Sequence, residues 1–293
     1  HAPACTRGAT LTPEPRARIV VASFRPAFEK ERPTSSKPET APEPRTSLKV
    51  AVALSFALAL AGWWNALEGR WLPADEPLVL DHPLVAGAPA RGLPPGLFYR
   101  PVRTASLALD HAVWETNPAG YHLTNAVIHA TSAVLVYGIA RALTLSPRAG
   151  ILAAALYVAH PAHTDAVTPV AGRREVLVAM FYLAALLAYL RRRQGGGSLD
   201  TLLIGLASGL AIYTKEMAIT LPATALALEI ALSRGWPNRA RAGFLAGFGA
   251  LCLAALAHAL ALGPGPSAVP QPELSLAFVA TAARAFAQYL LVA

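Results

Sequence analysis

The sequence predicts an all-α membrane protein, a polytopic helical bundle of about eight spans with a long first loop on its outer side. Three observations predict it. Charged residues make up only 14% of the 293 residues and hydrophobic residues 54%, where soluble domains carry roughly 25% charged. The mean hydropathy is +0.42. Apolar runs of about the length that crosses a bilayer recur at 48–67, 122–143, 149–167, 175–190, 199–214, 216–232, 242–262 and 276–293, and such a crossing takes about 20 mostly apolar residues. The net charge of +8 does not point to nucleic acid, because the basic residues sit mostly between apolar runs, where they report topology. Cys5 and Cys252 form neither a disulfide framework nor a zinc spacing.

Residues 1–47 are rich in Pro, Thr, Ser and charge. They cannot bury enough apolar surface to fold and read as a disordered tail, leaving 48–293 as the transmembrane domain. The first apolar run begins only near residue 48, too late for a signal peptide, so it reads as an anchor. Stretch 68–121 is too long and polar for a hairpin. It holds the Pro-rich "RGLPPGLFYRP" and an amphipathic piece, "RTASLALDHAVW", suited to the membrane interface. Gly205 and Gly209 in the short fifth run permit close helix contact. The chain begins at His1 and stops inside the apolar "AFAQYLLVA", so it is expected to be a piece of a longer protein.

Lys and Arg set the orientation. The tail is basic, Arg141 and Arg148 follow the second run, Arg191–Arg193 the fourth, and Arg234, Arg239 and Arg241 the sixth. The alternate connections hold Arg173 and Arg174, then Lys215, then none, and the long 68–121 loop has four, a low density for its length. The positive-inside rule then puts the N-terminus in the cytoplasm and loop 68–121 on the periplasmic or lumenal side.

With that topology the unusual polar residues fall on one side. "HPAHTD" (His160, His163, Asp165) ends the third span, "GRRE" (Arg173, Arg174, Glu175) precedes the fourth, and "TKE" (Lys215, Glu216) joins the fifth to the sixth. "ADE" (Asp75, Glu76) and "FYRP" (Tyr99, Arg100) lie in the outer loop. His122, Asn125 and His129, spaced i, i+3, i+7, share a face at the outer end of the second span. Ionisable groups at a membrane are costly and suggest function; gathered at one interface they suggest a polar cavity open outward.

Each motif has a plainer alternative. His160-x-x-His163 with Asp165 has metal-ligand types, but Pro161 breaks the helical geometry, which favours cavity lining or helix capping. Arg173 and Arg174 fit a turn with interfacial anchors, or a fork of donors for phosphate. Lys215 fits a local ion pair with Glu216, or a point charge for phosphate. Asp75 and Glu76 fit solvated loop charge, or a general base for a hydroxyl. Their common sidedness weights the functional readings.

The motifs "FYRP…NPAGYHLTN", "HPAHTDAV", "GRRE" and "YTKE", in this order between about residues 70 and 232, resemble the transmembrane-and-TPR-repeat O-mannosyltransferases and their bacterial relatives. That resemblance implies a GT-C type fold, a multi-span inverting glycosyltransferase with an outward-facing site. The family takes a sugar, mannose in the eukaryotic members, from a polyprenyl-phosphate lipid and passes it to a hydroxyl, a protein Ser or Thr in those members. It implies Asp75 or Glu76 as base; relatives carry an Asp-Asp pair whose first member falls here on Ala74. It implies Arg173, Arg174, Lys215 and Arg100 at the donor phosphate. It leaves Tyr99, His122, Asn125, His160, His163, Asp165, Glu175 and Glu216 to line the cavity. No cofactor beyond the lipid-linked sugar is required, and a divalent metal is compatible. The partners implied are the donor lipid, a protein or glycan acceptor and membrane lipid, without nucleic acid. TPR repeats usual in the family are not in this sequence. Transfer to a lipid or glycan, a non-catalytic scaffold and a transporter remain open; a transporter would place its charges near the midplane and show repeats.

Overall fold

A computed structural model describes residues 45–67, 69–73, 75–83, 85, 100–144, 146–233 and 239–261. Expected features at Ala74, Tyr99, the tail to residue 44 and the run 276–293 lie outside the described residues. The helices are α1 (Arg45–Gly62), α2 (Trp64–Leu67), α3 (Glu76–Val79), α4 (Pro101–Trp114), α5 (Pro118–Thr144), α6 (Pro147–Ala159), α7 (Thr164–Val167), α8 (Arg173–Arg193), α9 (Ser198–Thr214), α10 (Leu221–Ser233) and α11 (Arg239–Ala261). Short 3₁₀ turns cover Pro161–His163, Val170–Gly172 and Glu216–Thr220. The described residues are therefore all-α.

The eight expected crossings are not supported. Among the described residues, three helical segments are long and apolar enough to cross a membrane: Pro118–Leu143, Glu216–Ser233 and Arg241–His258. Ser47–Gly62, Pro147–Ala159 and Ser198–Thr214 are apolar but shorter. Local chemistry shortens the third expected span. Ser146 caps α6 through Ala149 N–H and Pro147 opens it. Pro161 then forces His160 into an extended conformation, φ −71° and ψ 126°, because a residue before proline avoids the helical region. The expected run to residue 167 becomes α6 followed by the 3₁₀ turn and α7.

Helix α5 is the central post, packed against α1, α4, α6 and α8, and α8 pairs with α9, which meets α11. One apolar cluster joins α8, α9, α10 and α11 through Leu186, Ile204, Leu221 and Phe248. A second joins α1, α5, α6 and α8 through Ala59, Tyr137, Val158 and Leu177. A third, Val79, Val85, Leu107, Tyr121 and Val170, fills the space under the first loop. Large apolar side chains face outward instead, among them Leu152, Leu156, Leu202 and Leu253, an arrangement suited to lipid. Close helix contact is found at Gly138 and Gly150, where a Cβ would fall 2.9 Å from Leu187 and 2.8 Å from Tyr137. At Gly209 nothing lies within 4 Å, so the close approach expected there is absent.

The 21 residues of α8 put its two ends about 30 Å apart at 1.5 Å per residue. At its C-terminal end Arg191 and Arg192 are exposed, as expected of anchors, while Arg193 is partly buried in an ion network. Fully buried Glu229 accepts from Arg193 Nε (2.9 Å), Arg241 Nη1 (2.6 Å), Ser233 Oγ (2.7 Å) and Tyr189 Oη (3.1 Å), tying α8, α10 and α11 together. Glu229→Ala strands the Arg193 guanidinium, and is expected to cost about 3 kcal/mol, read as a lower thermal midpoint in detergent.

Candidate active site

The opposite end of α8 carries the residues gathered from the motifs. Arg173, the first residue of α8, is 0% exposed. Its Nε donates to Asn125 Oδ1, Nη1 to Ser106 Oγ at 2.8 Å, and Nη2 to both Asp110 Oδ2 and the Tyr121 carbonyl. The ion pair with Asp110 is equally enclosed. Asn125 completes the hub by donating to the carbonyls of Val167 and Pro169. The fork of donors expected at a phosphate is engaged here by α4 and α5, and the Arg173 side chain faces no solvent. Asn125 likewise holds backbone.

Around this hub lies a half-exposed rim of charge. Arg100 donates from Nη2 to both oxygens of Glu216 at 3.2 Å. Lys215 Nζ donates to both oxygens of Glu175, at 2.8 and 2.6 Å, and Arg174 Nε donates to the same carboxylate at 3.0 Å. Glu216 therefore pairs with Arg100, and the expected partnership of Lys215 with Glu216 is replaced by Lys215 with Glu175. A residue outside the motifs joins them. Burial first, then the Arg100 and Arg174 guanidiniums, pushes Arg103 down to about 10, and its Nε has no hydrogen-bond partner among the described residues. His82 beside it is lowered by burial and then by Arg103. Among the described residues four cations (Arg100, Arg103, Arg174, Lys215) thus stand with two carboxylates (Glu175, Glu216).

The 75–76 pair divides in two. Asp75 is buried, and its Oδ1 accepts from Ala171 N–H at 2.7 Å and its Oδ2 from Leu72 N–H at 3.2 Å. It fastens the first loop to the turn that leads into Arg173. Glu76, in the first turn of α3, is exposed.

"HPAHTD" splits likewise. His160 Nδ1 accepts from Ala162 N–H at 3.2 Å, capping the 3₁₀ turn. His163 joins a ring cluster with Tyr157 and His129, and burial followed by His160 lowers its pKa. Asp165 is exposed in the first turn of α7. His129 bonds the Val158 carbonyl at 3.2 Å, so it is a core histidine. Among the described residues no three His, Cys, Asp or Glu side chains form a metal-ligand set. A cavity of about 720 Å³ opens between the end of α1, residues 69–72 and the His160 turn, with His122 and His160 in its wall.

Sequence reasoning missed Asp110, Ser106 and Arg103. All three lie on the amphipathic piece expected at the interface, at i, i+3 and i+7 from Arg103. That spacing put an arginine, a serine and an aspartate on one face of the helix, and this polar stripe was the available signal. Helix α4 instead packs on α5, α8 and α9, while Leu109 and Val113 face out.

Residues 100–260, more than half of the chain, match the sequence pattern described as dolichyl-phosphate-mannose-protein mannosyltransferase. The chain is similar to protein O-mannosyl-transferase TMTC3 of Mus musculus, 30% identical over 202 residues, covering 63% of this chain and 22% of that protein. It is 35% identical over 182 residues to protein O-mannosyl-transferase Tmtc1 of Drosophila melanogaster, covering 56% of this chain and 21% of that one. The chain thus spans about a fifth of the length of these curated relatives. No solved structure matches.

Proposed function

The chain belongs to the dolichyl-phosphate-mannose-protein mannosyltransferase family, and from that premise we propose that it transfers a hexose, mannose by analogy with its relatives' names, from a polyprenyl phosphate to a hydroxyl, that of a protein Ser or Thr, on the extracytoplasmic side of the membrane. The observation that carries the proposal is the gathering of cations at the start of α4 and α8. Three guanidiniums held together repel one another, and a phosphate relieves that repulsion. Hydrogen bonds between charged groups are the strong ones, and positive charge placed where negative charge develops lowers the barrier to its departure.

In this scheme Arg100, Arg103, Arg174 and Lys215 hold the donor phosphate. The acceptor oxygen attacks the anomeric carbon as the bond from that carbon to the phosphate oxygen breaks. The prenyl phosphate leaves with the bonding electrons, the acceptor proton passes to a carboxylate, and the anomeric centre inverts. Glu76 is that carboxylate, because it is exposed while Asp75 is committed to two amides; a base must reach the proton it takes. Asp75 is the positioning residue that fixes the 72–76 turn against Ala171. The side-chain cations supply the charge, and a divalent ion is compatible with the scheme.

The test is a transfer assay with the purified chain in lipid nanodiscs, a short-chain polyprenyl-phosphate mannose and a Ser/Thr-rich peptide. A hexose mass added to the peptide is expected. Donor left unconsumed under conditions where the chain is folded contradicts the proposal. Arg103→Met gives a sharper result. Donor affinity is expected to fall tenfold or more, since a charged hydrogen bond is worth about 1.5–3 kcal/mol, while the thermal midpoint without donor does not fall, because a like-charge neighbour has been removed. Titration calorimetry and a melting curve check the two halves.

A further inference from the structure

Three arginines close α8 at the end away from the rim, and two of them have carboxylate partners. Arg191 pairs with Asp200, and Arg193 with Glu229. Arg192 has no carboxylate partner among the described residues. Its Nε donates to Thr201 Oγ1 at 3.0 Å and its Nη1 to the Gly196 carbonyl at 2.9 Å. Both acceptors are uncharged, so they fix the guanidinium against the first turn of α9 without neutralising it, and neither bond uses Nη2.

A groove of about 790 Å³ opens beside this arginine. It runs from Ser198 and Thr201 along Leu202, Gly205 and Leu206 of α9 to Leu251 of α11. Ser198, Thr201, Leu202 and Gly205 share one helical face, at i, i+3, i+4 and i+7. Gly205 leaves the floor open: a Cβ added there meets Leu251 Cδ2 at 3.9 Å, an ordinary contact. Leu202, Leu206 and Leu251 are each more than half exposed. The polar groups, Arg192, Ser198 and Thr201, stand at one end, and no acidic side chain lines the groove among the described residues. A soluble anion gains nothing from three leucines, and a hydrocarbon gains nothing from an uncompensated guanidinium. An anionic amphiphile gains from both. A zwitterionic headgroup brings its own cation up to Arg192 and gains less.

We propose that this groove binds an anionic phospholipid, its phosphate on Arg192 with the Ser198 and Thr201 hydroxyls, and one acyl chain along Gly205 between α9 and α11. The positive-inside pattern assigns this end to the cytoplasm, whose leaflet is the anionic one. A lipid so placed bridges α8, α9 and α11 from outside. The site stands apart from the sugar-transfer reading and needs no donor.

Native mass spectrometry of the full chain in detergent tests it, with palmitoyl-oleoyl phosphatidylglycerol, the phosphatidylcholine of the same chains and a prenyl phosphate offered at equal concentration. The wild type is expected to retain phosphatidylglycerol over phosphatidylcholine by about fivefold, the order of effect of one basic residue at an anionic membrane surface. Arg192→Gln is expected to abolish that preference. Arg191→Gln makes the same change in net charge and is expected to keep it, since Arg191 is already paired with Asp200. Gly205→Leu fills the groove without touching the Arg192 bonds, and is expected to lose phosphatidylglycerol while melting no lower than the wild type. That variant decides the matter even if Arg192→Gln fails to fold. Equal losses in the two arginine variants overturn the proposal, because the lipid then follows net charge alone. Unchanged retention in Gly205→Leu overturns it too, because the lipid then lies elsewhere. Prenyl phosphate held in preference to phosphatidylglycerol also overturns it, because the groove then takes the donor lipid or its product.

Discussion

Arg173→Met is expected to lose the fold rather than the donor. The Arg173 guanidinium is enclosed and bonded to Asn125, Ser106, Asp110 and the Tyr121 carbonyl. Its removal leaves the buried Asp110 carboxylate with Thr124 as its one side-chain donor among the described residues. Breaking one half of a buried pair costs about 3–5 kcal/mol, a large part of the stability of an ordinary domain. The chain is expected to run as aggregate in detergent, or to melt far below the wild type. Arg173→Lys does not rescue it, since an ammonium cannot serve the separate acceptors a guanidinium fork reaches. The double variant Arg173→Met with Asp110→Leu recovers most of the loss, because replacing both partners by apolar groups is often neutral. A single Arg173 variant with an unchanged melting point and weakened donor binding would return this residue to the phosphate.

Glu76→Gln is expected to lower kcat by about 10² to 10⁴, the usual contribution of a general base, with donor affinity and melting point unchanged. Asp75→Asn is expected to behave differently. An amide presents one acceptor oxygen where two backbone N–H groups need one each, so the variant loses about 1–3 kcal/mol as well as activity. Glu76→Gln at full rate, with Asp75→Asn inactive and fully stable, would move the base to Asp75. The two variants are compared by single-turnover rate and thermal midpoint on the same preparations.

The helical, membrane-suited character was plain in the apolar runs, and the meeting of "ADE", "GRRE" and "TKE" was legible from sidedness. The Asp75 to Ala171 bond and the Lys215 to Glu175 pair place those motifs together. The crossing count was not legible, since hydropathy does not register how Pro161 ends α6. Nor was the division between hub and rim. Arg173 and Arg174 are neighbours in sequence, yet successive helical positions point about 100° apart. One is driven into α4 and α5 while the other stays half-exposed. Arg103 and Asp110 were hidden because an amphipathic helix at a membrane interface and one packed on a bundle share the same periodicity.

The central claim is that Glu76 and the rim that holds Arg174 and Lys215 face water on the extracytoplasmic side, with the Arg193–Glu229 end opposite. Glu76→Cys, Arg174→Cys and Gly197→Cys, each in a background with Cys5 and Cys252 replaced by alanine, test it with a membrane-impermeant maleimide on sealed right-side-out vesicles. Positions 76 and 174 are expected to label at once, and position 197 only after permeabilisation. Labelling of 197 with 76 and 174 protected, or equal labelling of all three in sealed vesicles, contradicts it.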